Sequence, residues 1–487
     1  MHRRLLSAFA LTSALVSTSP SFAQSPPAAP EKIAVGDWQL SPQLEVRTRG
    51  EYRSNPPDVG GFDFYGRLTP RVSDAWLVSE RARLGLGVER GAVRAEIVVQ
   101  DARALGTTAL NATTGAAGFG PYAAFFEVHG TGTRPTYVRM GRQPVVWGEG
   151  RLIGTADFSP VGRSLDALRA HAAAGTFDFE ALAALLEAPS PLGRAFGDAT
   201  GVQYSGVQLY GLSSRWTLDP LFKVEAFGLA RVSRSNGQGL DGSRFAAARL
   251  SGETYTVALR ASGEGRGWDY GVEGAYQFGT ASSLAITDLD VAAYAVAAHV
   301  DKKLDQLLFT PTFRIEGSYA SGDDGSGKYK QFDPLLADPQ RFHGPMDLFA
   351  WSNMMDVGGR VQIVPWNDTT FALGYRYARL VESSGEWIGS YLTAIGKTSP
   401  STAFGASGYV ASLDPPSSDL GHELDASFGW RPLLPLDLRL GWSALFLGDG
   451  ARRVMESHVR AKTNADNTLR TSTLSQYAYV QATLSMP

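Results

Sequence analysis

The strongest constraint on the fold is a repeated alternation of apolar and polar residues, in a chain whose only long apolar run lies within its first two dozen residues. Segment 38–53 carries Trp38, Leu40, Leu44, Val46 and Tyr52 on one face, and Gln39, Gln43, Glu45, Arg47, Arg49, Glu51 and Arg53 on the other. A period of two residues indicates a β-strand with different surroundings on its two faces. Because one face suits lipid and the other is too charged for a dry core, the pattern predicts a transmembrane β-barrel around a hydrated lumen.

Similar windows follow one another to the C-terminus, and the connections between them alternate in length. Short turns are expected at 90–91, 175–176, 366–368 and 432–435, and long connections at 54–75, 104–122, 144–163, 321–350, 382–421 and 448–474. Outer-membrane barrels keep periplasmic turns short and extracellular loops long. We therefore predict one all-β domain over 38–487, a single transmembrane antiparallel β-barrel of about 18 strands with both ends in the periplasm.

The N-terminal segment has the features of an export signal. Arg3 and Arg4 precede the apolar stretch 5–16, and a small-x-small site follows at 21–23. We expect residues 1–23 to be a cleaved signal peptide and the Pro/Ala-rich segment 24–37 to be a disordered periplasmic lead-in. The absence of cysteine excludes disulfides and thiolate metal sites. Tryptophans near predicted strand ends are expected in interfacial belts: Trp38, Trp76, Trp268, Trp366, Trp387 and Trp430.

Several classes of function are disfavoured. A formal net charge of −3 gives no reason to expect a nucleic-acid partner. The sequence contains no G-x-S-x-G, H-E-x-x-H or P-loop motif, so we expect no catalytic residue, cofactor or metal site. The acidic run Asp323-Asp324-Gly325 lacks the spacing of a calcium loop. An outer-membrane hydrolase would need a Ser/His/acid or paired-carboxylate cluster at one rim, which the seven histidines do not supply.

Arginine recurs on the polar face of the predicted strands. The predicted pore-lining arginines in strands are Arg47, Arg49, Arg81, Arg83, Arg139, Arg314, Arg360, Arg376 and Arg439. A guanidinium stays protonated and matches a carboxylate with two parallel donors, and rings of Arg or Lys are typical of anion pores. Acidic residues share the same faces. The alternative is that many of these arginines form cross-strand ion pairs and that only a subset at a constriction selects the solute.

Segment 137–169 holds the best candidate for that constriction. It contains Gly141-Arg142-Gln143, Gly148, Arg151-Leu152-Ile153-Gly154, Gly162-Arg163-Ser164, Asp166 and Leu168-Arg169. These spaced blocks resemble the signature region of the bacterial alginate-export outer-membrane porins. Phe158 and Leu165 depart from the family pattern, which would place Trp and Phe there. The likeness extends over most of the mature chain, including the strand with Arg81 and Arg83.

The resemblance implies an 18-stranded monomeric barrel with an Arg-rich pore that passes a uronate polysaccharide outward. It makes Arg142, Arg151, Arg163 and Arg169 candidates for the constriction, with Arg81 and Arg83 on the facing wall. The alternative for this block is an ordered loop whose arginines cap carbonyls and pair with Glu149, Asp157 and Asp166.

We therefore expect a passive outer-membrane channel for anionic solutes, most simply the export of an acidic, alginate-like polysaccharide. General uptake of small organic or sugar acids is the alternative. The expected partners are outer-membrane lipid, the anionic solute, periplasmic export components and the outer-membrane assembly machinery.

Overall fold

The structure is a computed structural model that describes residues 32–55, 74–106, 118–130, 132, 135–187, 206–219, 221–233, 251–282, 289–390, 394–397, 416–433, 435–460 and 473–486. The strands are β1 (Ile33–Val35), β2 (Trp38–Ser54), β3 (Asp74–Arg90), β4 (Val93–Gly106), β5 (Gly118–His129), β6 (Thr136–Gln143), β7 (Leu165–Ala174), β8 (Phe177–Glu187), β9 (Val207–Asp219), β10 (Phe222–Ser233), β11 (Ser251–Gly265), β12 (Trp268–Ser282), β13 (Leu289–Lys303), β14 (Thr312–Ala320), β15 (Met354–Ile363), β16 (Thr369–Leu380), β17 (Glu386–Ile388), β18 (Ala394–Lys397), β19 (Asp419–Leu433), β20 (Leu436–Leu447) and β21 (Leu474–Met486). The helices are α1 (Pro339–His343) and α2 (Asp449–Arg460).

Eighteen of these strands close into an antiparallel barrel, which confirms the predicted fold class and strand number. Each strand pairs with its sequence neighbours, β16 pairs with β19, and β2 closes the ring on β21. Strand β1 extends the sheet beside β2, while β17 and β18 form a separate hairpin. A barrel of this size encloses a space wide enough for an aqueous channel unless loops fill it.

The alternation read from the sequence determines which side chains face outward. In β2, Val46 is 40% exposed, while its neighbour Arg47 is 2% exposed and points into the lumen. In β11 and β12, Leu259 and Val272 face outward, whereas Arg260 and Glu273 face each other inside. The outward faces are rich in exposed apolar residues, as a lipid-facing surface requires.

The two rims of the barrel differ as predicted. Short connections join β3 to β4, β7 to β8, β15 to β16 and β19 to β20 at the rim where β2 begins and β21 ends. The strands that flank the predicted long connections end at the opposite rim, which faces outward in an outer-membrane barrel. None of the helices in the described part of the chain has the length and apolar character to span a bilayer.

Most of the predicted interfacial tryptophans lie on the outer surface. Trp76 and Trp366 are 69% and 67% exposed, and Trp38, Trp268 and Trp430 are also exposed. Trp387 differs from the expectation, because it is buried in the β17–β18 hairpin and its Nε1 donates a hydrogen bond to the Leu348 carbonyl at 2.8 Å.

The last part of the predicted disordered lead-in, 24–37, forms a short strand on the barrel. Residues 33–35 form β1, which pairs with β2 from Ile33 opposite Leu40 to Val35 opposite Trp38. The predicted signal peptide, 1–23, and the Pro/Ala-rich segment up to residue 31 lie outside the described residues.

Two long connections fold into the barrel instead of remaining at the rim. We call 144–164, between β6 and β7, loop A, and 321–353, between β14 and β15, loop B. Apolar side chains of both loops, including Trp147, Ile153, Phe332 and Trp351, form one core with the inward faces of β7 to β14. A second core joins loop B to the β17–β18 hairpin, α2 and the inner wall around Tyr477. The loops therefore fill part of the lumen, and the remaining polar space is bounded by the arginine-bearing strands.

Candidate functional site: the constriction of the lumen

Loop A is held to the wall of β2 and β3 by a buried ionic cluster. The Arg81 guanidinium donates to both carboxylate oxygens of Asp157, each at 3.1 Å, and to Glu45 at 2.7 Å. Arg83 donates to Asp157 at 3.0 Å, and Arg47 donates to the backbone carbonyl of Asp157 at 2.7 Å. Burial alone would raise the pKa of the Asp157 carboxyl, but the charges of Arg81, Arg83 and Arg47 lower it well below its usual range. Three predicted pore arginines thus serve as anchors for loop A.

Arg49 contributes to the same anchor through a different contact. Its guanidinium donates to the Phe158 carbonyl and stacks over the Phe158 ring, 4.1 Å from the centroid. It also forms an ion pair with Glu51 at 3.2 Å. Phe158, one of the two departures from the family pattern, therefore still provides an aromatic surface at this position.

On the opposite side, loop A is attached by an inserted tryptophan. Trp147 stacks on Phe227 with ring centroids 5.9 Å apart, and its Nε1 donates to Glu180 at 2.6 Å. Arg169 binds the same carboxylate through two donors, at 3.0 and 2.7 Å. Gly211 makes room for this ring, because a Cβ there would lie 2.5 Å from the Trp147 side chain. Arg169 is therefore a wall residue engaged in holding loop A.

Loops A and B are joined to each other in the middle of the lumen. Leu336 of loop B donates its amide to the Leu152 carbonyl at 2.9 Å and accepts from the Gly154 amide at 2.8 Å. Arg163 reinforces this contact by donating to the carbonyls of Gly154 at 3.0 Å, Ala337 at 2.9 Å, and Leu336. Burial lowers the pKa of Arg163 to about 10, which leaves it charged at neutral pH. This predicted constriction arginine acts as a carbonyl cap between the loops.

Replacing Arg163 with alanine is expected to loosen the junction of the two loops. Hydrogen bonds from a charged donor contribute about 1.5–3 kcal/mol each, and the two protons of Arg163 Nη1 are shared among these three carbonyls. Hydrogen exchange at the Gly154 and Leu336 amides should accelerate by about tenfold or more. Arg163→Lys, which keeps the charge with fewer donors in a less rigid geometry, should give an intermediate exchange rate. An unchanged exchange rate in the alanine variant would contradict the role of Arg163 as a carbonyl cap between the loops.

Most predicted arginines of the barrel wall are paired with acids. Arg139 donates to Glu127 at 2.6 Å, and Arg439 donates to Asp437 at 2.7 Å. Arg314 bridges Asp301 at 3.0 Å and Glu316 at 2.8 Å. Arg376 binds Glu316 at 2.7 Å and also Asp356, while Arg360 donates to Gln362 at 3.2 Å. These pairs balance the charge of the wall locally, as the alternative interpretation of the sequence anticipated.

Arg142 lies on the outer face of the barrel, in contrast to the expectation that it lines the pore. It shares the outward side of β6 with Met140, which is 69% exposed. Its guanidinium pairs with Asp166 of β7 at 2.9 Å, beside the outward Leu168. Strand β6 continues to Gln143, so the three-residue separation from the inward Arg139 places Arg142 on the opposite face.

Arg151, at the centre of loop A, is the predicted arginine that keeps its charge unpaired. It is 5% exposed, and no other residue in the described ranges forms a hydrogen bond or ion pair with it. Its guanidinium stacks on Phe342 of α1, 3.9 Å from the ring centroid. Glu149, Glu273 and Glu316 lie near enough to influence it but beyond ion-pair distance. A buried guanidinium with free donors is suited to bind an anion in the lumen.

Arg341 of α1 also has an unpaired guanidinium, on a side chain that is partly buried, and the sequence analysis did not identify it. Its guanidinium lies 5.7 Å from the same Phe342 ring, and it likewise has no hydrogen bond or ion pair among the described residues. Together with Arg314, Arg360 and Arg376 it lines a polar pocket of the wall. Two loops thus place two unpaired arginines around one aromatic ring. The expected location of 321–350 in an outer loop concealed this role.

The acidic run in loop B carries its own counter-charge. The Lys330 ammonium donates to Asp324 at 2.7 Å, and the Lys330 amide donates to Asp323 at 3.3 Å. This arrangement gives no support for a calcium site at this position.

A closed 18-stranded antiparallel barrel with apolar outer faces, short turns at one rim and loops folded into the lumen defines an outer-membrane channel of the porin class. The family model described as alginate export matches residues 38–464, so the chain belongs to the alginate-export family. The family and the fold are those of outer-membrane channels and not of enzymes, and they locate the protein in the outer membrane.

The barrel is also similar to solved porin structures. Pseudomonas aeruginosa OpdQ is 9% identical with a TM-score of 0.51, covering 92% of this chain and 98% of that chain. Pseudomonas aeruginosa OccK2 (OpdF) in complex with glucuronate is 11% identical with the same TM-score and coverage. Pseudomonas aeruginosa OpdK with vanillate is 12% identical, with a TM-score of 0.51 over 91% of this chain and 98% of that one. These likenesses extend to the fold alone. No curated protein matches the sequence.

Proposed function

We propose that this channel passes anionic solutes through an arginine constriction and that its principal substrate is an exported acidic polysaccharide of the uronate type. The observation that carries the proposal is the pair of unpaired guanidinium groups, Arg151 and Arg341, presented by two loops inside a wall whose other arginines are largely bound to acids or to loop carbonyls. Membership of the alginate-export family supports the direction and the polymeric substrate.

The chemistry of a uronate fits this arrangement. Each sugar unit of a polyuronate carries one carboxylate, which a guanidinium can bind with two parallel hydrogen bonds. A small number of shallow sites in series lets a charged chain advance, since conduction requires binding that is favourable but weak. OccK2, which has the same barrel fold, was solved with glucuronate, a single uronate unit.

Oligouronates are expected to interrupt the ionic current through the channel reconstituted in a planar bilayer. A saturated oligouronate added to one side should produce transient blockades at micromolar to millimolar concentration, because many weak carboxylate contacts add along the chain. A neutral oligosaccharide of equal length is the control and should require at least about tenfold higher concentration. Equal blockade by both sugars would contradict selection by charge.

A specific feature favours uptake of small acids as the second candidate. Loops A and B are joined to each other across the lumen, and Arg341, Arg314, Arg360 and Arg376 line a small polar pocket of the wall. A lumen crossed by joined loops suits a monomer or a short oligomer better than a polymer. Blockade times that increase with oligouronate length would favour polymer export, whereas preference for the monomer would favour uptake.

A further inference from the structure

Three carboxylates from three separate elements converge on the imidazole of His299 in β13. The Nε2 atom lies 3.0 Å from an oxygen of Asp269 in β12, 3.6 Å from one of Glu149 in loop A, and 4.0 Å from one of Asp301 in β13. Ligands of a tetrahedral ion with bonds of about 2.0–2.1 Å stand about 3.3 Å apart. The observed separations therefore bracket the spacing of a four-ligand metal centre.

We infer that His299, Asp269, Asp301 and Glu149 form a binding site for a divalent metal ion of the zinc type. His299, Asp269 and Asp301 each offer one ligand atom, and these atoms lie within 4.8 Å of one another. A site with one imidazole and several carboxylates suits zinc or a similar transition ion better than calcium, which prefers oxygen ligands alone.

The arginines beside this cluster bind some of its carboxylate oxygens and leave others able to bind a metal ion. Arg314 binds Asp301 through Oδ2 at 3.0 Å, whereas Asp301 Oδ1 is buried and has no hydrogen-bond partner. Asp301 is only 3% exposed, so an oxygen without a hydrogen-bond partner costs the metal-free protein the desolvation free energy of that oxygen. Arg260 binds Glu149 Oε1, the oxygen that faces His299, at 2.6 Å, so Glu149 would bridge the guanidinium and the metal ion or bind the ion through Oε2. A cation at this point would satisfy the unpartnered oxygen.

The backbone opposite His299 keeps this space open. Gly271 of β12 pairs with His299, and a Cβ at Gly271 would lie 2.7 Å from the imidazole Cε1 and 3.3 Å from the Glu149 carboxylate. Glycine therefore allows the loop carboxylate and the wall imidazole to approach each other. Asp269, with 28% of its side chain exposed, gives the site access to water near the short-turn rim.

Metal binding at this site would act on the constriction, because Glu149 belongs to loop A two residues before Arg151. A bound ion would fix loop A to β12 and β13 and would hold Arg151 in place. The sequence offered no sign of this site, since its ligands come from three elements and lack the short spacing of a zinc motif.

Zinc titration of the purified, detergent-solubilised full chain by isothermal calorimetry tests the inference. The unmodified protein should bind about one Zn²⁺ per chain, with calcium and magnesium at least about tenfold weaker. His299→Gln and Asp301→Asn should each weaken zinc binding by about tenfold or more, and Glu149→Gln should weaken it and also restore loop mobility in hydrogen exchange.

His171→Gln is the matched control, because His171 also faces the lumen but has a single carboxylate, Asp178, at 3.7 Å. It should bind zinc as the unmodified chain does. Retention of the folded barrel is checked by the heat-dependent shift on electrophoresis, so that lost binding in a folded variant reports on the site itself. Zinc affinity that is absent in the unmodified chain, or that is equal in the His299 and His171 variants, would overturn the inference. Either outcome is independent of which anion the channel carries.

Discussion

Replacing Arg151 with glutamate is expected to abolish most of the anion preference of the channel. The substitution changes the charge by two units at the point where loop A meets Phe342, and no described residue is paired with the original guanidinium. In a tenfold KCl gradient, the ratio of chloride to potassium permeability should fall by about tenfold, since one unit charge at a few ångströms changes ion energies by more than 1 kcal/mol even at high dielectric. Arg341→Glu should act in the same direction, and the double variant should become cation-selective.

Arg142→Glu is the control for this result. It makes the same change of charge in the same signature segment, but the side chain lies on the outer face beside Asp166. Its permeability ratio should stay within about twofold of the unmodified channel, because the side chain points away from the lumen through which the ions pass. If Arg142→Glu and Arg151→Glu shifted the reversal potential equally, the selectivity would not reside at the constriction. Arg151→Lys should retain the anion preference.

Removing the carboxylate of Asp157 is expected to release loop A from the wall of β2 and β3. Asp157→Ala leaves Arg81 and Arg83 without the oxygen atoms that they share, in a buried cluster that also contains Arg47. Breaking a buried ion pair by removing one partner costs about 3–5 kcal/mol. The closed position of loop A should therefore be disfavoured by about 100-fold or more, and the variant should show higher single-channel conductance with strong current noise.

Asp157→Asn separates charge from shape in this test. The amide keeps the volume and one acceptor oxygen, so the variant should lie between the unmodified channel and Asp157→Ala. Asp166→Ala, which removes an exposed carboxylate at the far end of the same segment, should leave conductance unchanged. If the Asp157→Ala channel had unchanged conductance and low current noise, other contacts, such as the Trp147 insertion, would suffice to hold loop A.

The barrel could be predicted from the sequence because each strand has two surroundings that differ strongly. Lipid on one side and water on the other impose the alternation of Val46 and Arg47, and the same rule extends to the last strand, where Val480 faces outward and Gln481 inward. The lengths of the connections then gave the orientation. Both signals are local, so they can be read without knowledge of distant contacts.

The constriction could be predicted only in part, because its geometry depends on contacts between distant segments. Nothing near Arg341 in the sequence indicates that loop B enters the lumen to meet Arg151 of loop A. Likewise, Arg163 and Arg47 are residues of the type that lines an anion pore. In the structure, however, their guanidinium groups donate to loop carbonyls of residues more than 100 positions away in the sequence. Trp387 was expected in an interfacial belt for the same reason, since its burial depends on the packing of loop B against its hairpin.

The reversal potential of the unmodified channel in a KCl gradient tests the central claim most directly. Two unpaired guanidinium groups at the junction of the loops should make chloride several-fold more permeant than potassium, and the preference should weaken as salt is raised. A potential near zero, or one of the sign that favours potassium, would contradict an arginine-selected anion pathway.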